Sequence, residues 1–177
     1  MNIRIVLSGV IWLASAVLPA GLRAQAKTDN PSVTAQLDAA KPILAKIKKD
    51  AAELQSFSSS SGSGWESHAA VLTRIKEDVN KLQENMRGLQ SHRTVASPWQ
   101  QDAIDRVTSL ANDLATNMNK AMDHLNKNKT RPTASPYPEY LKANTQIVNA
   151  LTEEINGTID YGENKSKMEE LEKKLPE

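Results

Sequence analysis

The stretch Trp65–Leu89, WESHAAVLTRIKEDVNKLQENMRGL, decides the fold. Trp65, His68, Leu72, Ile75, Val79, Leu82, Met86 and Leu89 fall alternately three and four residues apart. In a helix that spacing lines them along one side, and the charged residues between them fill the other. A seam sustained over more than three heptads requires a helical partner along its whole length. Ser63 followed by Glu66 reads as a capping box, in which hydroxyl and carboxylate each satisfy a free amide of the first turn. The spacing predicts a helix over 64–92, fraying at His92, Arg93 and Thr94.

Upstream, FSSSSGSG (57–64) reads as a flexible connection. Before it, Asn30 as cap and Pro31 at the first helical position open a helix over 31–57. Its stripe is Val33, Leu37, Ala40, Leu44, Ile47, Ala51 and Leu54. Pro42 lacks an amide hydrogen and is expected to kink or split it near Ala40. Downstream, Ser97, Pro98 and Gln100 give a second capping box and a helix over 98–126. Ile104, Val107, Ala111, Leu114, Met118, Ala121 and Leu125 form its seam. After the proline-rich connection 126–138, a fourth helix is predicted over 138–156 with Leu141, Val148, Leu151 and Ile155. Gly157 and Gly162 then break the pattern, and a short extra helix is expected over 165–175.

Helices of matched length joined mostly by short connections make antiparallel neighbours the simplest arrangement. The expected fold is all-α, an up-down-up-down four-helix bundle in one domain, residues 27–177. A long coiled-coil dimer would use the same central seam. Aromatic content of 4% argues against sheets. The core is expected to contain Trp65, Leu72, Ile75, Val79, Leu82, Ile104, Val107, Leu114, Met118, Val148, Leu151 and Ile155.

The first 26 residues set the address. One positive charge at Arg4, an apolar run from Ile5 to Leu18 and the Ala24-Gln25-Ala26 tripeptide match a cleavable secretory signal peptide. The run is shorter than the roughly 20 residues that span a bilayer, so retention as an anchor is the lesser reading. With no cysteine the exported fold must stand on its core alone. A periplasmic location in a Gram-negative bacterium is expected, with no stable membrane insertion after cleavage. Removing Arg4 and Arg23 from the 22 basic residues leaves 20 against 21 acidic ones, a net charge of −1. That balance gives no electrostatic footprint for nucleic acid.

No phosphate loop, nucleophile elbow, zinc-protease motif or haem-attachment motif occurs. The expectation is therefore a protein that acts by binding or structural association, without catalysis and without a cofactor. Its partner would be another envelope protein or a second copy, met through the 126–138 connection or the mixed-charge tail from Lys165. The alternative is a b-type haem or transition-metal protein centred on His68. If helices 2 and 3 turn near Val95, His68 lies level with Met122, the pair of axial ligands that such a haem uses. Architecture alone resembles soluble b-type cytochromes and periplasmic stress chaperones. The cytochromes' early methionine and late histidine are missing, however, and Leu151-Thr152-Glu153-Glu154 lacks the chaperones' glutamine. No family is assigned on this basis.

Overall fold

The computed structural model describes residues 28–58 and 64–175. The signal peptide falls outside them, as does Ser63. Four helices carry the described chain: α1 (Pro31–Ser58), α2 (Trp65–Ser91), α3 (Pro98–Lys127) and α4 (Tyr137–Glu172). A single 3₁₀ turn, Arg93–Val95, joins α2 to α3, and no strand occurs among the described residues.

The start signals act as local chemistry requires. Asn30 Oδ1 accepts from the Ser32 amide at 3.0 Å, and the Asn30 carbonyl accepts from Val33 at 3.1 Å. At α3, Gln100 Oε1 accepts from the Ser97 amide at 3.3 Å, the return half of the capping box. α2 instead opens on Gly64, whose backbone is extended and which supplies no capping side chain. The C-terminal end of α2 is closed by His92, whose amide donates to the carbonyls of Leu89 and Gln90.

Two expectations need correction. Pro42 does not split α1, which continues through it. Pro42 and Asp38 are both exposed, so the carbonyl freed by the missing amide lies on the solvent side. Nor does Gly157 end the fourth helix, and there is no separate helix over 165–175: α4 is one helix of 36 residues. Ile155, Thr158 and Ile159 carry its buried face past Gly157. That packing outweighs a glycine cost of about 1 kcal/mol per position.

α1 packs on α2 and α4, and α3 packs on the same two helices. Phe57 near the end of α1 meets His68 near the start of α2, and Gln36 near the start of α1 bonds Asn85 near the end of α2. Trp99 of α3 meets Tyr161 of α4, and His124 meets Tyr137. Within each of these pairs the helices run in opposite directions. The seven stripe residues of α1 are all buried, as are Leu72, Ile75, Val79 and Leu82 of α2. Ile104, Val107, Leu114 and Met118 meet them from α3, with Val148, Leu151 and Ile155 from α4. Trp65 differs from the expected core: it is half-buried, with the Lys129 ammonium 4.4 Å above its ring centroid. Asn144 occupies a core position of α4, donating to Met118 Sδ at 3.5 Å and accepting from Asn117 at 2.8 Å.

Where the chain enters, polar groups fasten three helices. The buried Gln100 amide accepts from the Asn30 N–H at 2.8 Å and donates to the Asn30 carbonyl at 3.0 Å. Asp29 takes the Trp99 indole N–H at 2.7 Å and Lys165 Nζ at 2.8 Å. Burial pushes the Asp29 carboxyl up, but bonds from Lys165, Ser97 and Trp99 outweigh it and hold the group below the usual carboxylate range.

Candidate functional site

His68 is fully buried, in a layer of rings at the end of the structure opposite Asp29. Its Nδ1 lies 3.1 Å from the Tyr137 hydroxyl, and its Nε2 is buried without a hydrogen-bond partner. Phe57 and Tyr137 approach its ring edge-on, at 5.8 and 5.4 Å between centroids. Tyr137 stacks in turn on His124 at 5.6 Å. Burial favours the neutral form of each partner: it lowers the His68 pKa and raises that of the Tyr137 hydroxyl.

Met122 is half-buried at the edge of the core. Gln90 meets Thr108 and Arg93 meets Asp105, a register roughly two turns later than a reversal at Val95 gives. The 3₁₀ turn lengthens the connection, so the level of His68 shifts past Met122 toward the C-terminal end of α3, where His124 joins the same ring layer. Tyr137, at the first turn of α4, takes the place opposite His68. Among the described residues, no group of three or more His, Cys, Asp or Glu side chains could hold a metal ion.

A second region stands out by exposure. Arg106 reaches across from α3 to Glu154 of α4 at 2.7 Å. Beside this pair an open groove of about 600 Å³ runs between the two helices, lined by Trp99, Leu110, Ala150, Gly157 and Tyr161 among others. Its floor is low because Ala150 and Gly157 are small, and a Cβ added at Gly157 would meet nothing within 4 Å. At one end Trp99 packs edge-on against Tyr161 at 4.9 Å. Gly162 permits this approach, since a Cβ there would lie 3.2 Å from the indole.

α3 starts beside Gly162, but α4 continues to Glu172. On the side that carries Tyr161, the following apolar positions of α4 are bare, Met168 62% and Leu171 63% exposed, and Leu175 just beyond the helix end is 71% exposed. The groove ends at Tyr161, and Met168 lies seven residues further along α4. No family model matches this chain, nor does any curated protein or solved structure. Function therefore rests on these two regions.

The sequence reading gave the tail from Lys165 a binding role but missed Trp99, Tyr161 and Asp29. The signal was present in part: Tyr161, Met168 and Leu175 recur at intervals of seven, in phase with each other and out of phase with Leu141, Val148 and Ile155. No helix among the described residues is long and apolar enough to cross a membrane.

Proposed function

We propose that this chain is an exported, periplasmic protein, folded as an up-down-up-down four-helix bundle, that works by structural association and not by catalysis. The observation that carries the reading is the uncovered cluster Met168, Leu171 and Leu175 at the C-terminal end of α4. Single exposed apolar residues are ordinary on a protein surface, whereas several together mark an interaction site. The leader directs export, and the near-neutral balance of charge gives nucleic acid no foothold. A photo-crosslinking residue at position 171 is expected to capture a partner in the intact envelope, while one at the exposed Lys46 on α1 captures none. Failure of positions 168, 171 and 175 alike contradicts the reading.

The haem or metal alternative has one observation in its favour, the unpaired Nε2 of the buried His68. A ligand there would have to open the contacts with Phe57 and Tyr137. Haem added to the purified protein would give a Soret band that His68→Ala abolishes. Absence of the band together with absence of any copurifying metal removes this alternative.

A further inference from the structure

We infer that the stripe's partner is a second copy of this chain, with the distal segments of the two α4 helices running parallel. The inference rests on the association reading and names the partner. Tyr161 and Met168 occupy one heptad position of α4, and Asn164 and Leu171 the other inward one, with Leu175 just beyond the end of the helix. The flanking positions then decide orientation. Lys167 lies on one flank of α4, and Glu172 lies on the other, seven residues after Lys165. Parallel pairing sets each Lys167 against Glu172 of the second copy, and symmetry doubles the attraction. Antiparallel pairing sets the two Lys167 flanks against each other and takes each Lys167 away from Glu172 of the second copy.

Among the described residues, Lys167 has one exposed contact, 3.8 Å with Glu163, which leaves it available to a partner. Lys165 is already held by Asp29 and Glu169, and the Lys167–Glu172 pair therefore carries the choice of direction. The helical part of the stripe, Tyr161 to Leu171, is short for an independent coiled coil, so the pairing is weak. Asn164, polar at an inward position, favours one register over slipped ones.

Sedimentation equilibrium of the purified exported chain, across a range of concentrations, tests the pairing. The expected result is a weak dimer. Leu171→Glu should raise its dissociation constant at least about tenfold, because a charge would be buried at the contact, while the melting temperature and helical circular dichroism stay unchanged. Lys167→Glu should weaken it about three- to tenfold, and Lys167→Glu with Glu172→Lys should restore it. A wild-type chain that stays monomeric overturns the proposal, as does a Leu171→Glu chain that dimerises unchanged. Tighter association of Lys167→Glu overturns the parallel orientation. If the chain is monomeric yet position 171 still captures a different protein in the envelope, self-pairing fails and the association reading stands. If it captures nothing, both fail.

Discussion

At the scale of single residues, His68 shows how a polar group acquires a purpose by position. Its spacing places it on the buried face of α2, and burial leaves it one partner, Tyr137. A proton on this ring would strand a charge beside an unpartnered nitrogen, so the folded state disfavours it. The sign follows directly. The folded pKa lies below the unfolded value of 6.5. The unfolded chain therefore binds the proton first as pH falls, and stability is full above 6.5 and declines as pH drops toward the depressed folded value. Urea unfolding near neutral pH and at about pH 5 should show this loss, and His68→Gln should reduce the difference between the two. Equal pH dependence in both chains would remove His68 as its source. Asn144 makes the complementary point. Asn144→Ala should cost about 1–3 kcal/mol, measured by the same unfolding, because the Asn117 amide loses a partner and a void opens. The apolar stripe read from the sequence passed from Leu141 to Val148 without Asn144, because an asparagine carries no hydrophobic signal and nothing in the sequence named the methionine and asparagine that satisfy it.

At the scale of elements, the legible parts were those written in short-range chemistry. Asn30-Pro31 and Ser97-Pro98 fix where α1 and α3 begin, and the three-four spacing of apolar residues fixes which sides are buried. Leu82, fully buried in the seam of α2, should lose on the order of 2–5 kcal/mol on substitution by alanine. Denaturant unfolding measures this, and a loss below about 1 kcal/mol would contradict a packed seam. The illegible parts depended on tertiary packing. Gly157 and Gly162 read as breaks because glycine costs a helix backbone entropy, yet Ile155, Ile159 and the Trp99 contact keep α4 intact. Continuity has a direct consequence. Gly157→Ala meets open space and should raise stability by roughly 0.5–1 kcal/mol. Gly162→Ala should gain less, because its methyl group presses on Trp99. Reversal of that order, in thermal melts of the two variants, would contradict the Trp99 packing. The register between α2 and α3 was missed for a similar reason: the 3₁₀ turn at Arg93–Val95 forms no periodic pattern of its own.

At the scale of the whole molecule, the four helices differ in how far they are covered. α1, α2 and α3 end close to their neighbours, whereas α4, about 54 Å long, continues past the start of α3. The sequence carried enough to expect four helices; it did not show which side of α4 lies open, because that depends on where α3 stops. The proposed function depends on that open face. A cysteine-free chain allows the direct measurement, since one introduced thiol is the only thiol present. With Leu171→Cys, maleimide labelling should be fast in the dilute purified protein and slow in the intact envelope, while Lys46→Cys labels equally fast in both. Equal labelling of position 171 in the two settings would contradict an association surface on α4.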